Sequence, residues 1–260
     1  MTSQVMLTLD SILDIQIYQH KSGYRFSADA VLLSAFINTP RLKKIADLGA
    51  GSGIIGLLLA KKYPAAEITL IELQENLVRL AEKNAVLNGL DKKVKIVHAD
   101  LRELFAGGYM QKIGNGPLHT YDLVVSNPPF RKTKTGLISP DDEKAMARHE
   151  IHLPIASLMK SAFSLLRHHG RLCVIYLPER LAEVMDAMRL HYLEPKRLCF
   201  VHSNVSSEAK MVLIEAVKEG KIGLKVERPL CLYDEDGNYT DEVRQIYGRN
   251  LPIRETCVVL

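Results

Sequence analysis

Four consecutive residues near the middle of the chain, Asn127, Pro128, Pro129 and Phe130, carry groups from which chemistry can be predicted. They follow the segment YDLVVS, which predicts a buried strand. An amide or an aromatic amine is a poor nucleophile because its lone pair is delocalised into the adjacent π-system. The Asn127 side-chain oxygen and the Pro128 carbonyl can each accept a hydrogen bond from such an NH2 group and turn its lone pair outward. This corner therefore predicts chemistry on an amino nitrogen.

The two prolines explain why that carbonyl is available. Proline has no N–H, so the strand ladder stops at Pro128, and Asn127 must be extended because it precedes a proline. Phe130 offers a ring on which a planar base can stack, an interaction worth about 1 to 3 kcal/mol per base. Alone, the corner is equally compatible with a strand end followed by a turn. Its meaning depends on what lies beside it.

A glycine-rich stretch, IADLGAGSGIIG, lies between a predicted strand and a predicted helix, where open α/β sheets bind their ligands. Gly49, Gly51 and Gly53 let the backbone pass close to a bound group and present amides near a helix N-terminus. Gly51, Gly53 and Gly56 also satisfy the G-x-G-x-x-G pattern of dinucleotide-binding proteins, with Glu72 about 20 residues later. The stretch is therefore compatible with a nicotinamide dinucleotide and with S-adenosylmethionine.

Asp47 favours the second of these cofactors. Its carboxylate precedes the glycines at the strand end, where it would repel a pyrophosphate but attract the ammonium of a methionine moiety. Glu72 ends the next strand at an offset that suits hydrogen bonds to ribose hydroxyls. Asp100 follows the third strand, where it can accept from an adenine amino group. Each acid has a simpler alternative: a solvated strand end for Glu72, and a helix cap for Asp47 or Asp100.

Composition sets the frame for these motifs. Of the 260 residues, 47% are hydrophobic and 25% are charged, which predicts one substantial core. No apolar run has the length of a membrane span, and the N-terminus MTSQVMLTLD lacks the layout of a signal peptide, so a cytoplasmic protein is predicted. The four cysteines lack metal-ligand spacing and are predicted to be reduced. The net charge of +4 is too small to indicate a partner.

Strands and helices alternate through the middle of the chain, which predicts a parallel sheet covered on both faces. A short hairpin precedes this sheet, with predicted strands at 13–19 and 24–27. A long helix is predicted at 152–170. The link 204–208 is too short for a crossover helix, so the final long strand is expected to run antiparallel to its predecessor. A turn at 236–237 and a short helix follow.

Three segments make up the predicted organisation. Residues 1–40 are expected to form a hairpin and helix packed on the core. Residues 41–220 form the cofactor-binding catalytic domain. Residues 221–260 extend that domain at the C-terminus.

Five segments carry a resemblance to a known family: GYRFSADAVLLSAF, IADLGAGSGIIGLLLA, LIELQENLVRLAEKN, DLVVSNPPF and YDEDGNYTDEVRQIYG. Together they resemble the bacterial tRNA1(Val) (adenine-37 N6)-methyltransferases over most of the chain. The resemblance implies an α/β fold with a Rossmann-like sheet of seven strands and an antiparallel last strand. It also implies S-adenosylmethionine as cofactor and an adenine amino group of tRNA as methyl acceptor. The family usually has Tyr where this chain has Phe130, a change that keeps the stacking ring and loses the hydroxyl.

By the same resemblance, Ser27 and Asp29 close over the methionine end of the cofactor, with N-capping of the next helix as the alternative for each. The predicted catalytic residues are Asn127, Pro128, Pro129 and Phe130. The predicted cofactor-binding residues are Ser27, Asp29, Asp47, Gly49, Ala50, Gly51, Gly53, Glu72, Leu73, Asp100, Leu101 and Asn127.

Basic residues are the candidates for contact with RNA phosphates. Those in the loop 131–150 lie beside the corner but alternate with three acids, so the net charge there is small. A solvated face is the alternative for any such run of charges. The candidates are Lys21, Arg25, Arg131, Lys132, Lys134, Lys144, Arg148, His149, Arg167, Arg171, Lys196 and Arg197.

Other functions are compatible with the same motifs. Enzymes that methylate guanine N2 in rRNA or a release-factor glutamine share the corner, so the corner indicates the chemistry better than the substrate. A nicotinamide-dependent oxidoreductase would use the same glycines, and a non-catalytic RNA-binding module would keep the fold without turnover. The main prediction is N6 methylation of an adenine in tRNA, with neither a membrane nor a metal as partner.

Overall fold

A two-stranded hairpin and a nine-stranded sheet form the framework of the protein. The computed structural model describes residues 7–20, 28–102, 119–128 and 154–248. The strands are β1 (Leu7–Ile12), β2 (Ile15–His20), β3 (Lys44–Leu48), β4 (Glu67–Glu72), β5 (Val94–His98), β6 (Tyr121–Ser126), β7 (Leu166–Tyr176), β8 (Leu193–His202), β9 (Ala209–Lys218), β10 (Lys225–Val226) and β11 (Leu230–Cys231). The helices are α1 (Ala28–Phe36), α2 (Ile54–Lys62), α3 (Glu75–Leu87), α4 (Ile155–Leu165), α5 (Leu181–Leu190) and α6 (Asp241–Tyr247), with a 3-10 turn at Pro178–Arg180.

Seven strands of the large sheet lie in the order β5-β4-β3-β6-β7-β9-β8. Neighbours in this order are parallel except for β9, which runs antiparallel to both β7 and β8. The predicted Rossmann-like sheet of seven strands, with the last one reversed, is therefore confirmed. Two short strands that were not predicted, β10 and β11, both pair in parallel with β8.

The central strands are buried on both faces, which explains their composition. Leu123, Val124 and Val125 are consecutive residues of β6, and none of them has any exposed surface. Consecutive side chains of a strand point to opposite faces, so both faces of β6 are covered. Such strands carry continuous apolar runs instead of an alternating pattern.

The hairpin lies earlier in the chain than the sequence predicted. β2 occupies the place of the first predicted strand, but its partner is β1, which precedes it, and the segment 21–27 lies outside the described residues. The turn consists of Leu13 and Asp14, and Leu13 adopts a φ of 48° although it is not a glycine. Because the turn has no glycine, nothing in the sequence marks it.

The predicted helix 152–170 is also wrong at its C-terminal end, because α4 stops at Leu165 and β7 begins at Leu166. The carbonyls at the end of the helix find partners elsewhere in the fold. The backbone amide of His119 donates to the Ser164 oxygen at 3.0 Å, and the buried Lys218 ammonium donates to the Phe163 oxygen at 2.7 Å. These tertiary contacts end the helix where local propensity would continue it.

Two asparagines of α3 attach the hairpin to the rest of the fold. Asn84 accepts from the Tyr18 amide at 2.7 Å and donates to the Tyr18 oxygen at 3.2 Å, and it also donates to the Ser52 oxygen at 2.9 Å. One helical turn later, Asn88 bonds in the same way to both backbone groups of Gln16. The pair acts as a substitute strand along the edge of β2. Asn84 has no exposed surface and also reaches the glycine-rich loop.

A single hydrophobic core includes all three segments of the predicted organisation. Ile15 and Ile17 of the hairpin and Val243 of α6 belong to the same buried cluster as the sheet. The predicted turn at 236–237 is confirmed, with Gly237 at a φ of 74°, and α6 follows it as the predicted short helix. The described cysteines, at 173, 199 and 231, are free thiols. Among the described residues, no helix is both long enough and apolar enough to cross a membrane.

Replacement of Asn84 by Ala is expected to lower the free energy of unfolding by about 1 to 3 kcal/mol, because it leaves buried backbone groups of Tyr18 and Ser52 without partners. Urea denaturation followed by circular dichroism measures this change. Asn88→Ala is the matched control and should cost less, because the groups it leaves can reach water. Equal losses for the two variants would contradict this account of the asparagine pair.

Candidate active site

The predicted site residues converge at one edge of the sheet. β6, β3, β4 and β5 are neighbours in that order and run in the same direction, so their carboxyl ends lie side by side. Asn127, Asp47, Glu72 and Asp100 each lie at or just beyond one of these ends. Leu73, Leu101 and Pro128 follow three of these residues directly in the chain. The sheet therefore brings together residues that are far apart in sequence.

The glycine-rich loop turns sharply as it leaves β3. The amides of Gly49 and Ala50 both donate to the Ile71 oxygen, at 2.9 and 3.1 Å. Gly49 and Gly51 have φ values of 70° and 57°, which residues with a side chain rarely adopt, and a Cβ at either position would meet no atom within 4 Å. The open space beside these two glycines is what a loop that cradles a ligand requires.

Gly53 and Gly56 serve a different purpose from the first two glycines. A Cβ on Gly53 would lie 3.0 Å from the Leu70 side chain, and one on Gly56 would lie 2.1 Å from it. Both glycines therefore allow α2 to pack closely on β4. The match to the dinucleotide-binding pattern at Gly53 and Gly56 reflects this packing between helix and strand.

Glu72 holds the loop in place. One of its carboxylate oxygens accepts from the Gly51 amide at 2.9 Å, and the other accepts from the Gln74 amide at 2.8 Å. The side chain is buried, so it is not the solvated strand end of the simpler alternative. A carboxylate offers about four acceptor positions. Two of them remain for the ribose hydroxyls predicted from the sequence.

Asp47 is buried with one oxygen unused. Its Oδ2 accepts from the Gly56 amide at 3.1 Å, as a helix cap would, but its Oδ1 has no hydrogen-bond partner among the described residues. Only 1% of the residue is exposed. Burial raises the pKa of this carboxyl from 3.8 to about 7, the Gly56 bond opposes the rise, and the charge of Glu72 adds to it. Capping accounts for only half of this group.

The third acid, Asp100, is engaged within its own turn. Its Oδ1 accepts from the Arg102 amide at 2.8 Å, and both carboxylate oxygens accept from the Arg102 guanidinium. This is the capping role that the sequence left open, and an adenine amino group would have to share the carboxylate with Arg102. Leu101 is buried beside it, and its carbonyl accepts from the Ser161 hydroxyl at 3.1 Å.

Asn127 and Pro128 form the opposite wall from the three acids. Asn127 is half-buried and Pro128 is buried. The pairing of β6 with β3 ends at Val125 and Asp47, as expected for a strand that runs into a proline. Pro129, Phe130 and Ser27 lie outside the described residues. Asp29 is the second residue of α1 and is half-buried, a position compatible with its capping alternative.

Several basic residues proposed for RNA contact have partners within the protein. Arg167 forms an ion pair with Asp122 at 2.6 Å. Arg171 and Arg197 both pair with the buried Glu215, and Arg197 also donates to the Phe36 oxygen at 2.9 Å. These arginines stabilise the fold. The loop 131–150 and the residues Lys21 and Arg25 lie outside the described residues.

Sequence reasoning missed three side chains that support this site. Ser126 donates to the Leu48 oxygen at 2.7 Å, His98 Nε2 lies 2.7 Å from the Leu73 oxygen, and Asn84 bonds to Ser52. Each fixes a carbonyl of a loop that carries predicted site residues. Their only sequence signal is a polar residue on a predicted strand or on the buried side of a predicted helix.

The reversed strand β9 and the glycine-rich loop after β3 place the chain in the class of α/β methyltransferases, and comparison with known proteins agrees. Residues 27–189 match the family model described as "Methyltransferase small domain". A crystal structure from Agrobacterium tumefaciens, described as a predicted O-methyltransferase, has a TM-score of 0.69 at 23% identity and covers 86% of this chain and 98% of its own. That likeness concerns the fold.

Two curated relatives carry the name tRNA1(Val) (adenine(37)-N6)-methyltransferase. The one from Porphyromonas gingivalis is 33% identical over 195 residues, which cover 74% of this chain and 73% of the relative. The one from Vibrio campbellii is 26% identical over 231 residues, which cover 88% of this chain and 90% of the relative. The chain therefore belongs to the methyltransferase small domain family and is related to these proteins along most of its length. The resemblance inferred from the sequence is confirmed, and the oxidoreductase alternative is removed.

Replacement of Asp47 by Asn is expected to raise the melting temperature of the ligand-free protein by an amount that grows with pH. An unfolded aspartate ionises near pH 4, whereas this carboxyl keeps its proton in the folded chain until about pH 7. Folding of the native protein therefore becomes less favourable between these values and levels off above them. Asparagine carries no such penalty. Thermal denaturation at intervals between pH 4 and pH 8 measures the difference.

Asp122→Asn is the control with the opposite sign. Burial tends to raise the pKa of Asp122, but hydrogen bonds from Arg167 and from the Lys43 and Lys44 amides outweigh it, and the pKa is lowered. The native carboxylate therefore stabilises the fold above pH 4, and the benefit is lost at lower pH. Asp122→Asn should lower the melting temperature evenly above pH 4. A pH-independent effect of Asp47→Asn would contradict the assignment for Asp47.

Proposed function

We propose that the protein transfers a methyl group from S-adenosylmethionine to the N6 amino group of adenine 37 in tRNA1(Val). The observation that carries this proposal is the position of the Asn127-Pro128 corner directly beside Asp47 and the glycine-rich loop, on the adjacent strands β6 and β3. One strand ends in acceptors for an amino group, and the other ends in a loop suited to the methyl donor. The names of the curated relatives supply the acceptor.

The described residues fit this cofactor. The unused Oδ1 of Asp47 is a buried acceptor suited to the ammonium of the methionine moiety, and the Gly49 and Gly51 backbone leaves room beside it. Glu72 retains acceptor positions for the ribose hydroxyls. S-adenosylmethionine supplies an electrophilic methyl group. A cation beside Asp47 also favours the ionised carboxylate, which offsets the penalty that burial imposes.

The corner prepares the amino group for attack. The Asn127 side-chain oxygen accepts one N–H bond and the Pro128 carbonyl accepts the other, which moves the nitrogen toward tetrahedral geometry and frees its lone pair. Pro129 has no N–H, so it cannot compete for these acceptors. No strong base is required, because the amino proton becomes acidic as the new bond forms. Alignment of the reacting groups supplies most of the acceleration, on the order of 7 to 11 kcal/mol.

A base within tRNA must leave its stack to reach this corner. Enzymes that modify bases extrude them into a pocket and stack them on aromatic side chains. Phe130 is the aromatic residue that the sequence offers for this contact. A tRNA substrate also agrees with the cytoplasmic location predicted from the sequence.

Replacement of Asn127 by Ala is expected to reduce turnover by about 10² to 10³-fold, because one acceptor for the amino group is lost. The dissociation constant for S-adenosylmethionine should change by less than about two-fold, since Asn127 acts on the acceptor. Transfer of labelled methyl to unmodified tRNA measures the rate, and calorimetry measures cofactor binding. Asn127→Asp is the matched control: it keeps a side-chain acceptor and should retain more activity than Asn127→Ala. Unchanged turnover in Asn127→Ala would refute the assigned role.

The substrate is tested separately from the catalytic residue. The native protein is incubated with labelled cofactor and, in parallel, with unmodified tRNA, ribosomal subunits or release factor. Label in adenine 37 of tRNA supports the proposal. Label in rRNA guanine or in a release-factor glutamine would assign one of the alternative substrates, and tRNA binding without any label would assign a non-catalytic module.

A further inference from the structure

Ser126, the last residue of β6, makes a buried hydrogen bond between the two walls of the site. Its hydroxyl donates to the Leu48 oxygen at 2.7 Å, and the residue has no exposed surface. Leu48 is the last residue of β3. The bond therefore joins the ends of two neighbouring strands.

The position of this bond in the sheet explains why a side chain makes it. Backbone pairing between β3 and β6 stops at Asp47 and Val125. Beyond that point β6 continues into Pro128, which has no N–H to donate. On its other side Ser126 still pairs with Val174 of β7. The Ser126 hydroxyl is thus the donor that keeps β6 attached to β3 after the ladder between them has ended.

The two bonded residues are the immediate neighbours of the groups assigned to the reaction. Ser126 precedes Asn127, whose side chain accepts from the amino group. Leu48 lies between Asp47 and Gly49, the acid and the first glycine of the cofactor loop. One hydrogen bond therefore sets the separation between the acceptor site for the amino group and the site for the methyl donor.

We propose that Ser126 is a positioning residue for methyl transfer, which holds Asn127 at the reactive distance from the cofactor loop. This inference rests on the function proposed above. Reacting atoms must lie about 3 to 3.5 Å apart, and a misplacement of about 1 Å can lower the rate on the order of 10²-fold. Loss of the bond lets the end of β6 move relative to β3 without unfolding either strand, because β6 remains paired with β7 and β3 with β4.

Tyr121 provides a matched control on the same strand. Its hydroxyl donates to Thr69 Oγ1 at 3.0 Å, and this bond is also buried. Tyr121 is the first residue of β6, so it lies roughly 16 Å from Ser126 at about 3.3 Å per residue. Tyr121→Phe and Ser126→Ala each remove one buried hydroxyl from β6, at opposite ends. A purely structural role would give the two variants the same behaviour.

The test measures three quantities for both variants: the single-turnover methylation rate at saturating substrate and cofactor, the dissociation constant for S-adenosylmethionine, and the melting temperature. We expect Ser126→Ala to lower the rate by about 10 to 100-fold. Its cofactor affinity should stay within about two-fold of native, and its melting temperature should fall about as far as that of Tyr121→Phe. The rate of Tyr121→Phe should stay within about two-fold of native. Ser126→Thr retains a hydroxyl and should recover most of the rate.

Each outcome is decisive. A rate for Ser126→Ala that falls no further than that of Tyr121→Phe overturns the inference, even if the native protein methylates tRNA as proposed. If the native protein labels rRNA or release factor, the proposed substrate is wrong, and the Ser126 comparison is made on the substrate that is labelled. If the native protein transfers no methyl group to any of them, both the function and the inference fail. If Ser126→Thr does not fold, the Ala and Phe variants decide the question.

Discussion

The adjacency of β3 and β6 is the constraint on which the candidate site depends. β3 pairs in parallel with β4 on one side and with β6 on the other, although β6 comes three strands later in the chain. The segments that leave β3 and β6 therefore run toward opposite sides of the sheet and leave a crevice between them, as in other open α/β sheets. The glycine-rich loop forms one wall of this crevice and Asn127 forms the other. Any strand inserted between β3 and β6 would separate the two walls by about 5 Å more.

Two buried acids in this crevice have different tasks, and their surroundings show which is which. Both oxygens of Glu72 accept backbone N–H groups, so its charge is balanced and holds the loop in shape. Asp47 has one oxygen bonded and one without a partner among the described residues. A buried polar atom left in this state destabilises a fold. An apolar residue at position 47 would therefore favour folding, and the acid makes sense only as a group that waits for a cation.

The sequence predicted the strands of the central sheet and the converging acids because both depend on local patterns. Apolar runs identify buried strands, and carboxyl ends of parallel strands meet at one edge. Tertiary contacts account for the failures. α4 ends early because its last carbonyls bond to His119 and Lys218 from distant parts of the chain. The hairpin was misplaced because Leu13 adopts a positive φ that no sequence pattern marks. Likewise, the bond from Ser126 to Leu48 depends on a pairing between strands that local periodicity does not encode.

Three consecutive residues at the end of β6 divide a single structural problem among them. An amino group can be gripped only by acceptors that no backbone donor already occupies, and the prolines keep the Pro128 carbonyl free by removing N–H groups. The same removal ends the ladder to β3, which would leave the corner less firmly attached where alignment matters most. Ser126 supplies a donor from its side chain, and this donor reaches the Leu48 carbonyl without occupying either acceptor at the corner. The prolines thus free the acceptors, Asn127 supplies one of them, and the serine restores the attachment that the prolines remove.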